Sequence, residues 1–268
     1  DGGAVVVSSG GSLQDDGSSF SGNQGTRGGA ILLESSSAVL NDTVIDNNSA
    51  VEIGGAISVI GSEDFVLTRG RIWRNSANLF GGGIAFQNYG NADSIIRNTR
   101  FQDNISVNGG GLSYTGTTAA AMIANNTFVA NSATGDGGAG LHVESTAASE
   151  LYIWSNVFLG NDGDSALYNQ TANDASIAYN TSFLTSSGNA FEIYLTEDDG
   201  WNLQQNPLVV DFSDNGNPTD DDLQLLPTSG EINAGPQNGE PATHLYQLWQ
   251  DKDGSRNDRG FTGGQYAE

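Results

Sequence analysis

The sequence predicts an all-β fold, a right-handed single-stranded parallel β-helix of about eight or nine stacked coils closed by an irregular C-terminal cap. Three observations predict it: a glycine-led tetrad that recurs about every 26 residues, an apolar-x-x-Asn element that recurs between the tetrads, and a period-2 alternation that follows each tetrad.

The tetrads read Gly2-Gly3-Ala4-Val5, Gly28-Gly29-Ala30-Ile31, Gly54-Gly55-Ala56-Ile57, Gly81-Gly82-Gly83-Ile84, Gly109-Gly110-Gly111-Leu112 and Gly138-Ala139-Gly140-Leu141. Two degenerate copies follow at Asp164-Ser165-Ala166-Leu167 and Gly188-Asn189-Ala190-Phe191. The spacings from start to start are 26, 26, 27, 28, 29, 26 and 24. Glycine tolerates positive φ at corners where a Cβ would clash.

Inside this register the residues three and five places into each unit are apolar, as in Ile31/Leu33, Ile57/Val59, Ile84/Phe86 and Leu112/Tyr114. The residue between them varies through Val6, Leu32, Ser58, Ala85, Ser113, His142, Tyr168 and Glu192, which reads as an outward position. A second short strand is expected around Val39-Leu40, Val66-Leu67, Ile95-Ile96, Met122-Ile123, Tyr152-Ile153 and Ile177-Ala178. The third is the apolar-x-x-Asn element. Phe20, Ile45, Ile72, Phe101, Phe128, Phe158 and Phe183 are expected to form one buried column, and Asn23, Asn48, Asn75, Asn104, Asn131 and Asn161 one ladder of side-chain amides. A unit with three short strands cannot bury its own apolar face, and stacking copies does so.

Residues 1–205 are therefore assigned to the β-helix and residues 206–268 to a last coil and capping segment. The capping segment is proline-bearing and aspartate-rich, with Leu223, Leu225, Leu226, Ile232, Leu245 and Leu248 to fold over the last coils. Asp1 enters directly at the first tetrad, so the first coil, with Val5, Val6 and Val7, is expected to dock against upstream sequence, another subunit or a partner protein.

Composition bounds the partners. The chain has 268 residues, a formal net charge of −23, one lysine (Lys252) and no cysteine. An acidic surface argues against nucleic acid or anionic lipid. No run is long and apolar enough for a transmembrane helix.

The paired Gly-Gly-Ala-Ile and Phe-x-x-Asn motifs resemble the repeats of the polymorphic outer-membrane protein family over roughly residues 1–190. That resemblance implies β-helical, adhesin-like passengers at a bacterial outer membrane. The tail, with Asn206-Pro207-Leu208-Val209-Val210-Asp211, Ile232-Asn233-Ala234-Gly235 and Asp251-x-Asp253-Gly254-Ser255-Arg256, resembles the end of secreted bacterial β-helix proteins of the choice-of-anchor type. It implies an extracellular or cell-surface address on the outer-membrane or periplasmic side.

For site residues, Glu34, Gln87, Glu144 and Gln170 share one column six places after each unit's first residue, a face suited to sugar hydroxyls or to a solvated strand edge. Asp251, Asp253 and Asp258 form an alternating oxygen set that suggests Ca2+, although glycine stands fourth rather than sixth and Thr262 ends the loop where an EF-hand has glutamate. The ordinary alternative is a turn held by aspartate side chains. His142 reads as a solvated outward histidine. Asp42/Arg69 and Arg74/Asp103 read as ion pairs between neighbouring coils. No catalytic constellation stands out: neither His142 nor His244 has flanking glycines, and the chain holds a single lysine. The reading is a binding, adhesin-like or structural scaffold whose partner is a glycan or surface protein. A polysaccharide-active lyase or hydrolase, and a subunit of a larger extracellular assembly, stand as alternatives.

Overall fold

The computed structural model describes residues 1–61, 64–88, 93–116, 121–145, 151–171, 175–183, 191–194, 202–207, 209–211, 222–229 and 259. These residues form an all-β parallel solenoid of about six regular turns. The turn count is slightly below the eight or nine expected.

The tetrad strands stack as one eight-stranded sheet, from Val5–Ser8 through Ile31–Glu34, Ile57–Ile60, Ile84–Asn88, Leu112–Gly116, Gly138–Ser145 and Ser165–Thr171 to Phe191–Tyr194. The second sheet has seven strands, among them Ser37–Asn41, Phe65–Thr68, Ser94–Arg97 and Leu151–Trp154. The third sheet carries the Phe/Ile column on eight strands, from Ser19–Ser21 to Leu203–Gln204. A fourth sheet was not anticipated: Gln24–Arg27, Ser49–Ile53, Ser76–Ala77, Ile105–Ser106 and Ser132–Ala133. Its strands are short and rich in Ser and Ala, so their alternation is too weak to be read as a periodicity.

All of these sheets pair in parallel, and the register matches like with like. Phe20 pairs with Ile45, Ile45 with Ile72, Ile72 with Phe101, Phe101 with Phe128 and Phe128 with Phe158. From Ile45 to Phe158 this column is fully buried, and its phenylalanine rings stack face to face at 4.8 and 4.9 Å. The column departs from expectation at its last member. Phe158 pairs with Ser182, and Phe183 pairs with Leu159. A one-residue slip sends a side chain to the other face of the sheet. Phe183 accordingly packs outside the barrel with Val129, Leu159, Leu223 and Val209.

The asparagine ladder forms as expected. Each side-chain amide donates to the Oδ1 of the next coil's asparagine at 2.9–3.0 Å, from Asn23 through Asn48, Asn75, Asn104 and Asn131 to Asn161. The residue before each rung turns the corner with positive φ: Gly22, Asn47, Arg74, Asp103, Ala130 and Gly160. A second ladder runs through Asn126, Asn156, Asn180 and Asn202, joined at 3.0, 2.9 and 3.0 Å. It occupies the opposite corner of the third sheet, where Thr99 holds the same place and its backbone N–H donates to Asn126. The sequence signal was an asparagine two residues before the Phe column, present only in the later coils.

Of the two expected ion pairs, Asp42 and Arg69 meet, with Arg69 Nε 2.7 Å from Asp42 Oδ1. This bond holds the Asp42 carboxyl below its usual range against the opposing effect of burial. Arg74, expected beside Asp103, bonds Asp46 on the preceding coil at 2.7 Å. The capping segment was expected over the last coils. Its described part lies against their side: Leu223 joins the Val129 and Leu159 cluster, and Arg259 donates to Thr181 Oγ1 at 2.8 Å. Leu225 and Leu226 are half-buried, while Ile232, Leu245 and Leu248 lie outside the described residues. In the first coil, Val5, Val7, Leu13 and Phe20 pack on the core but are only partly buried.

Candidate functional site

The candidate binding column lies at the end of the tetrad strands. In register it reads Ser8, Glu34, Ile60, Gln87, Thr115, Glu144, Gln170 and Tyr194. The four residues picked out from the sequence therefore share one column. The structure places Glu144 and Gln170 on adjacent strands, about 4.8 Å apart along the solenoid axis. Ile60 separates Glu34 from Gln87, and Thr115 separates Gln87 from Glu144.

The first and last of the four residues, Glu34 and Gln170, are each held by a neighbour. Arg27, the last residue of the first strand of the fourth sheet, bonds Glu34 Oε1 at 2.9 Å. At the other end the Tyr168 hydroxyl donates to Gln170 Oε1 at 2.8 Å. Tyr168 stacks on His142 with ring centres 5.0 Å apart and planes within 4°. His142 Nε2 stands 3.9 Å from Glu144 Oε2. Alternating positions on neighbouring strands thus form one cluster of imidazole, phenol, carboxylate and amide.

His142 corrects the sequence reading: it is buried, not solvated, and neither ring nitrogen has a hydrogen-bond partner among the described residues. The cause is an inside corner between the tetrad sheet and the fourth sheet. The residues just before the tetrads, Arg27, Ile53, Phe80 and Asn108, stack in register and flank the outward column. The tetrad's first glycine then folds over the strand that follows. A Cβ on Gly54 would stand 2.8 Å from the Ser58 backbone nitrogen, and one on Gly109 2.9 Å from Ser113 Cβ. Leu32, Ser58, Ala85 and Ser113 are buried there with His142. The Phe80 ring centre lies 6.2 Å from that of the imidazole. Desolvation pulls the His142 pKa below its usual value, against the opposing pull of Glu144.

Ser58, Ser113, His142, Phe80 and Tyr168 were not recognised as parts of a site. Ser58, Ser113 and His142 carry buried polar atoms without hydrogen-bond partners among the described residues. Register already puts Ser58, Ser113, His142 and Tyr168 in one column, but only the fold over the tetrad glycine and the approach of Phe80 close a corner over it.

The suggested Ca2+ ligands Asp251, Asp253 and Asp258 lie outside the described residues. Among the described residues, no group of three or more His, Cys, Asp or Glu side chains is arranged to hold a metal ion. No helix among them is long and apolar enough to cross a membrane. Comparison with protein-family models, with curated proteins and with solved structures finds no match to this chain.

Proposed function

We propose that this protein is an extracellular or cell-surface binding scaffold, adhesin-like in action, that lays a polyhydroxylated chain such as a glycan along the solenoid axis. The observation that carries this reading is the column at the end of the tetrad strands. It offers one side chain per coil at a fixed rise, with Glu34, Gln87, Thr115, Glu144 and Gln170 as hydrogen-bonding members. A carboxylate accepts from sugar hydroxyls, and an amide both donates and accepts. The rigid backbone lowers the ordering cost of binding. Tyr168 commits the Gln170 carbonyl oxygen, so that amide meets a ligand through its N–H2 group. The resemblance of the repeats to polymorphic outer-membrane proteins, and of the tail to choice-of-anchor proteins, supports the surface address.

A glycan array probed with and without calcium tests the reading. Binding to at least one extended glycan is expected, with a loss of tenfold or more in a Glu144→Ala/Gln170→Ala double variant. Calcium-dependent binding lost in Asp251→Asn would support Ca2+ at Asp251, Asp253 and Asp258. Release of new reducing ends or unsaturated sugars would replace the scaffold reading with a polysaccharide-active enzyme.

A further inference from the structure

Six large apolar side chains are conspicuously exposed among the described residues, and four of them share one face. Val51, Leu79, Ile105 and Val107 are 63%, 47%, 45% and 37% exposed. They belong to the fourth sheet and its continuation in three successive coils. Phe80 pairs with both Ile53 and Asn108, which sets Leu79 beside Glu52 on one coil and beside Val107 on the other, with Val51 next to Glu52 in the chain and Ile105 two residues before Val107. The Leu79 N–H donates to Glu52 O at 2.9 Å, and its carbonyl accepts from Asn108 N at 3.0 Å. Single exposed apolar residues need no explanation, whereas a contiguous set marks an interaction site.

The same face turns acidic in the next coils. Ile105 pairs with Ser132, and Ser132 bridges to Asp162. Asp136, Asp162 and Asp164 are exposed there, and Glu52 is exposed beside Val51. Of the arginines of the third and fourth coils, Arg69, Arg71, Arg97 and Arg100 lie on the second and third sheets or the corner between them, and Arg74, at the corner of the third and fourth sheets, is paired with Asp46. Arg27, at the end of the first strand of the fourth sheet, is paired with Glu34.

We propose that this face docks an extended segment of another protein that is apolar at one end and rich in Lys or Arg at the other. Charge decides the occupant. A second copy of a chain with net charge −23 would bring Glu52 and the aspartates against their own kind. A cationic segment meets them favourably. From the second to the sixth coil the face spans about 19 Å, the length of about six extended residues. The apolar residues of the segment would cover Val51, Leu79, Ile105 and Val107, and its cations would reach Asp136 and Asp162. The site is independent of the glycan column.

The test uses the whole chain and fluorescein-labelled synthetic octapeptides. One alternates Val/Leu with Ser in its first half and Lys/Arg with Gly in its second. A second replaces Lys/Arg with Glu, and a third replaces Val/Leu with Ser. Fluorescence anisotropy is expected to show saturable binding of the first peptide, and at least tenfold weaker binding of both others. A Leu79→Thr/Ile105→Thr variant, checked for folding by circular dichroism, is expected to bind the first peptide at least tenfold more weakly. Val39→Thr, at an exposed valine of the second sheet, is expected to bind as wild type does. The proposal is overturned if no peptide binds, or if the apolar substitutions leave binding unchanged. It is also overturned if the protein sediments as a dimer that Ile105→Thr dissociates, because a second copy then occupies the face.

Discussion

Replacing Asn104 with alanine should be among the more damaging single changes in the solenoid. Asn104 is fully buried. Its Oδ1 accepts from Asn75 N and Asn75 Nδ2, both at 3.0 Å. Its Nδ2 donates to Ile72 O at 2.8 Å and to Asn131 Oδ1 at 3.0 Å. Some of these partners keep other bonds after the change: Asn75 Nδ2 still reaches Ile45 O and Trp73 O, and Asn131 Oδ1 still accepts from Asn104 N. The Asn75 N–H and the Ile72 carbonyl lose the side-chain bond described here. A stranded buried group costs about 1–3 kcal/mol, so a loss of about 3 kcal/mol is expected. That is a large part of the 5–15 kcal/mol that holds a typical domain. Asn23→Ala is the internal control. Asn23 sits at the ladder's first rung, half-exposed, and donates to Asn48 Oδ1 without carrying a rung before it. Its loss should cost under about 1 kcal/mol. Urea unfolding followed by far-ultraviolet circular dichroism measures both. Hydrogen exchange at the Asn75 amide gives a local readout if the repeats unfold in stages. Equal costs for the two variants, or a cost below about 0.5 kcal/mol for Asn104→Ala, would refute the ladder as a stabilising element.

Three further outcomes follow from single sites. Ala130 turns its corner at φ 49°, where Gly22 and Gly160 stand in other coils, so Ala130→Gly should raise the urea midpoint, by about 0.5–1 kcal/mol of stability. The Tyr114 hydroxyl is buried without a hydrogen-bond partner among the described residues, and burial pushes its pKa up to about 12. Tyr114→Phe should therefore leave stability unchanged or raise it by about 1 kcal/mol, and a loss above that would show a bond to this hydroxyl. His142 has a folded pKa below its unfolded value near 6.5, so below that pH the unfolded chain takes up the proton first. Stability should be complete above about pH 6.5 and fall as the pH drops toward the folded pKa; in His142→Phe, unfolding midpoints at pH 7.5 and 5.0 should differ less than in wild type.

The repeat was legible because stacking demands it. Parallel coils put like residues one strand spacing apart, so a column such as Ile45, Ile72, Phe101, Phe128 and Phe158 must recur in the sequence if it is to be buried in the fold. The asparagine ladder was legible for the same reason: each rung needs an amide at the same corner. The column of Glu34, Gln87, Glu144 and Gln170 also followed from register alone.

Tertiary structure decided what register does not contain. Phe183 lies beside its expected place in sequence, but Ser182 takes the inward position and Leu223 offers Phe183 an apolar surface outside the barrel. No local pattern separates those two outcomes, because the competing contact comes from far along the chain. His142 occupies an outward strand position and is nevertheless buried, since the tetrad glycine folds the fourth sheet's end against it. The apolar strip of Val51, Leu79, Ile105 and Val107 became visible only once the fourth sheet existed to align it. Periodicity determines which residues stack within a column, a property of neighbours along the axis. Which columns face each other, and what covers them, depends on how each coil bends at its corners, and that is settled only when the whole coil closes.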